Sequence, residues 1–149
     1  MNPRPLAEIV AAWIGTPFSA NACVPGPQGG VSCQKLAAAI YVEMGILPPD
    51  VRVPSGRINR GRFNRVSEII PWLDSRSEFR RRDVVLVPAA GDLLGFEIGH
   101  CINHLGVAIG DDQFVHCLEG MGVGTASLLD ATWLARWKAC WRPTGGLHA

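Results

Sequence analysis

The sequence contains no apolar run close to the roughly 18 residues that a membrane-spanning helix requires. The apolar stretch near its start, LAEIVAAWI at 6–14, is interrupted by Glu8 and is not followed by the small-residue cleavage site of a secretory signal. We therefore expect no membrane span and no signal peptide. By this interpretation the chain is made in the cytoplasm and leaves it only if another route carries it.

A surplus of charge of one sign is also missing. The 14 lysines and arginines against 13 aspartates and glutamates give a net charge of +1, which predicts no bulk attraction to nucleic acid or to a membrane surface. The charge is unevenly placed, since nine arginines lie within 51–82, whereas 83–135 carries seven acids and no lysine or arginine. Either the two segments pack together, or both are solvated. Alternatively, the arginines line a binding surface for an anionic ligand, in which Arg60 and Arg62 are the predicted substrate-binding residues.

The cysteines are too few and too irregularly spaced for a disulfide framework. There are five, an odd number, at Cys23, Cys33, Cys101, Cys117 and Cys140. Such a pattern favours reduced thiols. The 149 residues suffice for one hydrophobic core but not for a second independent module. We therefore predict a single domain over 1–149.

What the sequence does contain is a loop that runs straight into a helix around Cys33. Glycines and prolines crowd 25–30, whereas 35–44 carries apolar residues at helical spacing and stops at Gly45. Ser32 is a suitable N-cap and would place Cys33 in the first helical turn. Free N–H groups and the helix dipole there favour a thiolate and can also hold an oxyanion. The alternative is a small cysteine buried in a packed helix.

Hydrophobic periodicity predicts helices first and a meander of strands afterwards, which is an α+β architecture. The helices are predicted at 6–14, at 35–44 with Cys33 in the first turn, and at 66–73. A last short helix begins after the N-cap Asp130 and carries Trp133 and Trp137 on one face. The strands are predicted at 84–87, 92–98, 104–109, 113–118, 123–128 and 139–142.

Three of the four histidines, His100, His104 and His116, lie within seventeen residues on the predicted sheet. A cysteine, a histidine that takes its proton and a partner that orients this histidine are sufficient for nucleophilic catalysis. A rival chemistry is a four-ligand zinc site, to which Cys101 and Cys117 would contribute together with the histidines. Adjacent strand residues point to opposite faces, so His116 and Cys117 should not both join one site, and we expect no metal.

The order of these features resembles the NlpC-type cell-wall cysteine peptidases. The resemblance is carried by GTPF at 15–18, Cys33 at a helix start, MGILP at 44–48, GDLLGF at 91–96, NHLGVAIGDDQFVHC at 103–117 and WRP at 141–143. It covers the chain from about Leu6 to Pro143 and leaves only the arginine-rich segment unaccounted for. The similarity is greatest to the compact members that are encoded with phage tail proteins.

This resemblance implies a papain-like α+β fold, in which N-terminal helices, one of them bearing the cysteine, pack on an antiparallel sheet of about five or six strands. It also implies that Cys33 is the nucleophile, His104 the general base and His116 the polar residue that orients it. The implied substrate is the stem peptide of peptidoglycan, cleaved between D-glutamate and a diamino acid without a cofactor, after delivery by a phage tail or another route. Ser32 stands where the family usually has aspartate, which affects the expected shape of the substrate pocket.

Two alternatives to a peptidase stay open at this stage. A phage-tail assembly or structural protein would keep the fold and use it for binding. An amidase or acyltransferase would use the same cysteine and histidine on another amide, since these two residues do not choose between water and another acceptor.

The segment between the two histidines predicts how their rings are oriented. Side chains alternate between the two faces along each strand. The two rings therefore lie on one face only if the residue numbers of each pair across the antiparallel strands add up to an even number. A two-residue turn at Asp111 and Asp112 gives an odd sum. We therefore predict a three-residue loop at 110–112, another loop of odd length or a bulge, with Gly106 paired to His116 and both imidazoles facing the Cys33 helix.

Overall fold

The computed structural model describes residues 3–54, 67–84 and 87–145. Within these ranges three helices come first, and a run of strands interrupted by a short helix follows, which confirms the predicted α+β class. The helices are α1 (Leu6–Trp13), α2 (Cys33–Glu43), α3 (Ile69–Asp74) and α4 (Ala131–Arg136). None of the helices within these ranges combines the length and the apolar content needed to cross a membrane.

Six strands of the described ranges form one antiparallel sheet, as the resemblance implied. They are β1 (Phe79–Arg82), β2 (Leu93–Ile98), β3 (Cys101–Gly110), β4 (Gln113–Leu118), β5 (Gly122–Ser127) and β6 (Trp137–Pro143). Their order across the sheet is β1-β6-β2-β3-β4-β5, and every neighbouring pair is antiparallel. The strands from β2 to β5 therefore form a meander, and the last strand returns to lie between β1 and β2.

Two predicted elements are wrong. Val84 and Val87, the two described residues of the strand predicted at 84–87, lie outside any strand, and the strand that pairs with β6 at this edge is β1. The β1 strand is at an edge of the sheet, where charged side chains protect against pairing with another chain. Its arginines leave no alternation of apolar and polar residues from which the sequence could predict a strand. Trp137 does not lie on the last helix but begins β6, where its side chain is buried.

Local sequence explains where α2 begins. Ser32 has an extended backbone and its hydroxyl accepts a hydrogen bond from the Lys35 N–H, so it is the predicted N-cap. Near its C-terminal end, the Glu43 carboxylate accepts hydrogen bonds from Arg4 and from the Trp13 indole, which ties α2 to α1. The cysteine thus lies in the first turn of a helix that is fixed in place.

The buried apolar side chains fall into two clusters on opposite faces of the sheet. The first cluster joins α1, α2 and α3 to the sheet. The strand residues in this cluster include Leu93, Leu105, Val107, Val115, Cys117 and Trp141. The second cluster consists of Leu94, Phe96, Ala108, Phe114, Leu128, Trp137 and Cys140, with Trp133 of α4 packed against it. Strand residues alternate between the clusters, as their period of two requires.

The connection between β3 and β4 is a two-residue turn with a bulge. Asp111 and Asp112 both have positive φ angles, 54° and 61°, as a type I′ turn requires, and Gly110 pairs with Gln113. The register then shifts between Ala108 and Gly110, so Ile109 is an extra residue, and Gly106 pairs with His116. The predicted three-residue loop is therefore wrong, whereas the predicted bulge and the Gly106–His116 pair are confirmed.

Candidate active site

The candidate site lies where β3 and β4 stop pairing. Their ladder ends at the pair of Gly106 with His116, although both strands continue beyond this pair. The start of α2 lies at this point, since the Gln34 side-chain amide donates to the Asn103 carbonyl at 3.5 Å and the Cys117 thiol donates to the Val31 carbonyl at 3.2 Å. The opening between the two strands therefore receives the first turn of the helix.

Cys33 lies against the backbone of β3 in this opening. The backbone N–H groups of Leu105, of Gln34 and of Cys33 itself all lower the pKa of the Cys33 thiol. Burial acts more strongly in the other direction and raises this pKa to about 11. The expectation that the helix start makes Cys33 a thiolate is therefore wrong for the resting protein, because desolvation outweighs the N–H groups.

His104 and His116 form a directly hydrogen-bonded pair. The His104 Nε2 atom lies 2.9 Å from the His116 Nδ1 atom, and each residue is only 5% exposed. Since Nε2 of His104 is engaged, Nδ1 is the nitrogen left for a reacting group. The structure thus places the two rings on one face of the sheet, as the sequence predicted.

The rings do not face the body of α2, which corrects the second part of that prediction. His104 packs against Phe96, with ring centroids 5.9 Å apart, and His116 against Phe114 at 4.9 Å, both in the second cluster. The residues that follow each histidine, Leu105 and Cys117, belong to the first cluster with α2. Cys33 meets the strand at Leu105, directly beside His104 in the chain.

Both imidazoles are neutral at physiological pH. Burial lowers the pKa of His104 to about 3, with further lowering from the neighbouring His116 and from the Arg136 guanidinium. Burial also lowers the pKa of His116 to about 4. His104 can therefore accept a proton, and the Cys33 thiol, which meets the strand at the next residue, Leu105, is itself neutral.

Other residues singled out by the sequence do not join this site. Arg60 and Arg62 lie outside the described residues, so their predicted role in substrate binding stays a prediction. His100 lies in the exposed turn between β2 and β3. His116 and Cys117 point to opposite faces, and within the described ranges no three histidine, cysteine or acidic side chains are arranged to hold a metal ion.

Sequence reasoning missed Trp133 as a neighbour of the site. Its ring lies over both histidines, with centroids 5.6 Å from His104 and 4.9 Å from His116. The predicted N-cap Asp130 was the available signal, because it fixes which residues of α4 turn towards the sheet. Asp130 does cap the helix, accepting from the N–H groups of Thr132 and Trp133.

Comparison with protein families agrees with this arrangement. A sequence model of the NlpC/P60 family matches residues 15–142, which contain the cysteine and both histidines. Among proteins of curated function, none matches the sequence significantly.

Solved structures with the same fold are similar over nearly the whole chain. The NlpC/p60 domain of the peptidoglycan hydrolase SagA is 18% identical, with 94% of this chain and 97% of that one covered and a TM-score of 0.58. An NlpC/P60 family protein from Bacillus cereus ATCC 10987 is 18% identical, with 97% and 42% covered and a TM-score of 0.61. A lipoprotein-like NLP/P60 protein from Staphylococcus aureus subsp. aureus Mu50 is 15% identical, with 95% and 41% covered and a TM-score of 0.60. The chain thus spans about two-fifths of the last two proteins.

Proposed function

Because this chain belongs to the NlpC/P60 family, we propose that it is a cysteine peptidase that hydrolyses stem peptides of peptidoglycan. Its substrate bond is the amide between D-glutamate and a diamino acid. The observation that carries the proposal is the His104–His116 hydrogen bond, formed beside the strand position at which the Cys33 side chain is held. The similarity to the domain of SagA, a peptidoglycan hydrolase, supports the choice of substrate.

The reaction needs one particular tautomer of the histidine pair. His104 can take the thiol proton on Nδ1 only if its Nε2 carries the other proton, which Nε2 then donates to Nδ1 of His116. His116 in turn carries its proton on Nε2. The role of His116 is therefore to hold His104 in the basic orientation, without giving up a proton itself.

The reaction begins from the neutral thiol. As the Cys33 sulfur attacks the carbonyl carbon, its proton moves to Nδ1 of His104, because a thiol whose pKa is about 11 supplies little thiolate at neutral pH. The carbonyl oxygen becomes an oxyanion, which the free N–H groups in the first turn of α2 stabilise. His104 then gives its proton to the leaving amine, the C–N bond breaks and a thioester remains.

Water completes the cycle. His104 removes a proton from a water molecule, the resulting hydroxide attacks the thioester carbonyl, and the Cys33 sulfur leaves and recovers its proton. The products are a free carboxylate and a free amine, so the net reaction is the hydrolysis of one amide bond.

Digestion of purified peptidoglycan tests this proposal. Separation of the products followed by mass spectrometry should show fragments that end at D-glutamate and fragments that begin with the diamino acid. Cys33→Ala should lower the rate by about a thousandfold or more, because the nucleophile is lost. Cys23→Ser is the matched control, since Cys23 is an exposed thiol outside the site.

Three outcomes would count against the proposal. Full activity of Cys33→Ala would remove the assigned nucleophile. Cleavage at another bond would change the substrate. Intact peptidoglycan after incubation with folded protein would favour a binding role, and transfer of the acyl group to an added amine in place of water would favour an acyltransferase.

We further propose that Arg60 and Arg62 attract the carboxylates of the stem peptide. The support is the surplus of arginine at 51–82 in a chain whose net charge is only +1. Replacing both residues by glutamate should raise KM more than it lowers kcat, because the change affects binding in the ground state and the transition state alike. Kinetics that stay the same in the double variant would leave the segment as a solvated insertion.

A further inference from the structure

Trp133 covers the histidine pair from the side that the sheet leaves open. Its ring is nearly perpendicular to that of His116, at 90°, and inclined by 31° to that of His104. It also meets Phe96 and Phe114 edge-on, with centroids 5.2 and 5.6 Å away. Each imidazole is thus enclosed between one phenylalanine of the sheet and the same indole.

The indole is held in place from both ends of α4. Asp130 caps the start of the helix, and its carboxylate accepts a hydrogen bond from the backbone N–H of Trp133. At the other end, the Arg136 guanidinium stacks on the indole, with its carbon 5.4 Å from the ring centroid. No hydrogen bond of the indole N–H is present within the described part of the chain, so the contacts of this side chain with the histidines are made by its aromatic ring.

We propose that Trp133 is a positioning residue, which fixes the His104 and His116 rings against each other and keeps water out of their hydrogen bond. Without the indole, the remaining ring contacts of the two histidines come from the sheet itself, and the outer edges of both rings are open to solvent. Water would then compete for the His104 Nε2 and His116 Nδ1 atoms, whose bond selects the basic tautomer of His104. This inference rests on the proposed function only for its effect on catalysis.

The groups that determine the protonation of His104 come from each element packed around it. They are His116 of β4 and Arg136 of α4, both of which lower its pKa. Arg136 reaches the site by way of Trp133, on which it is stacked. Loss of the indole therefore removes the water barrier and also frees the guanidinium to move away, and both changes raise the proton affinity of His104.

The test compares Trp133→Ala, Trp133→Phe and Leu134→Ala. Leu134 is the neighbouring residue of α4 and is 45% exposed, so its truncation removes a side chain of the same helix outside the histidine contact. The imidazole resonances of His104 and His116 are titrated by nuclear magnetic resonance, with no substrate present. In parallel, kcat and KM are measured against pH.

In Trp133→Ala, both histidines should titrate closer to the ordinary value of about 6.5. The kcat value should fall by about tenfold or more with KM nearly unchanged, and the acid limb of the rate profile should move to higher pH. Trp133→Phe should restore most of both properties, and Leu134→Ala should match the original protein.

The proposal is overturned if the folded Trp133→Ala protein keeps the original histidine titrations, or if Leu134→Ala changes them equally. A purely structural role would lower the thermal stability and leave the histidine titrations of the folded protein unmoved. The titration needs no substrate, so a protein that cleaves no peptidoglycan would contradict the proposed function and still report on Trp133.

Discussion

At the scale of single residues, the two histidines combine their proposed catalytic role with an acid sensitivity of the fold. Burial lowers the pKa of His104 to about 3 and that of His116 to about 4. Between these values and the ordinary value of about 6.5, the unfolded chain binds protons that the folded chain does not. Their contribution to stability is therefore complete above about pH 6.5 and is lost as the pH falls through this window.

We expect the free energy of unfolding to decrease below pH 6.5 by up to about 1.4 kcal/mol per pH unit for each histidine. Urea denaturation at several pH values between 7 and 4 measures this slope. The variant with His104→Gln and His116→Gln should show a flatter dependence, since the two buried imidazoles are gone. Equal slopes in the two proteins would mean that neither imidazole is buried in its neutral form.

The sequence predicts which residues make up the site better than it predicts their state. Residue type makes Cys33 and the histidines candidates, and the resemblance to the NlpC-type peptidases selects His104 and His116 among them. The pKa of Cys33 could not be predicted in this way, since it depends on how deeply the first turn of α2 enters the opening between β3 and β4. The same holds for Trp133, which reaches the histidines only through the packing of α4 on the sheet.

At the scale of elements, His116 lies between two glycines on the neighbouring strands, Gly106 of β3 and Gly124 of β5. The two positions differ in the space around them. A Cβ atom added at Gly106 would lie 2.7 Å from a ring carbon of Phe114, whereas one added at Gly124 meets nothing within 4 Å. Gly106 is therefore needed for the close packing under the histidine pair, and Gly124 is not.

We predict that Gly106→Ala destabilises the fold by about 1–3 kcal/mol through overpacking and lowers kcat, because Phe114 must shift against His116. Gly124→Ala should change the stability by less than about 0.5 kcal/mol and leave kcat unchanged. Thermal denaturation and peptide hydrolysis, measured side by side, check both statements. Equal effects of the two substitutions would show that the space around Gly106 is of no importance.

The turn between β3 and β4 shows why register is hard to predict from sequence. The requirement that both rings lie on one face correctly predicts one extra residue between the histidines, in addition to a two-residue turn. It does not say where this residue lies, because a three-residue loop and a bulge satisfy it equally. The positive φ angles of Asp111 and Asp112 favour the two-residue turn, and Ile109 becomes the extra residue. The β1 strand was missed for a different reason, since its arginines lack an apolar alternation.

At the scale of the whole molecule, the start of β2 anchors both α2 and β6. The Tyr41 hydroxyl of α2 donates to the Gly91 carbonyl at 2.8 Å. The carboxylate of Asp92, which is fully buried, accepts from Arg142 of β6 at 2.8 and 2.9 Å and from the Ala89 N–H at 2.9 Å. These bonds fix the helix that bears Cys33 at the end remote from the cysteine.

We predict that Asp92→Ala lowers the free energy of unfolding by about 1–3 kcal/mol, because the Ala89 N–H loses its acceptor and the partly exposed Arg142 loses its ion-pair partner. Glu8→Ala is the control, since Glu8 pairs with Arg4 on the surface and such pairs contribute at most about 1 kcal/mol. Urea denaturation at neutral pH measures both. A loss in Asp92→Ala no larger than that in Glu8→Ala would mean that the pair does not hold the sheet together.

The end of the ladder between β3 and β4 also gives the molecule a built-in spectroscopic reporter. The Leu105 N–H acts on the pKa of the Cys33 thiol, so its chemical shift should respond to the formation of any covalent bond at that sulfur. In a two-dimensional nitrogen–proton spectrum, a slowly hydrolysed substrate should displace this one cross-peak while the acyl group is attached and return it as product is released. Peaks from 107–110, within the paired part of β3, should stay in place. A Leu105 signal that is insensitive to alkylation of Cys33 would show that the contact does not persist in solution.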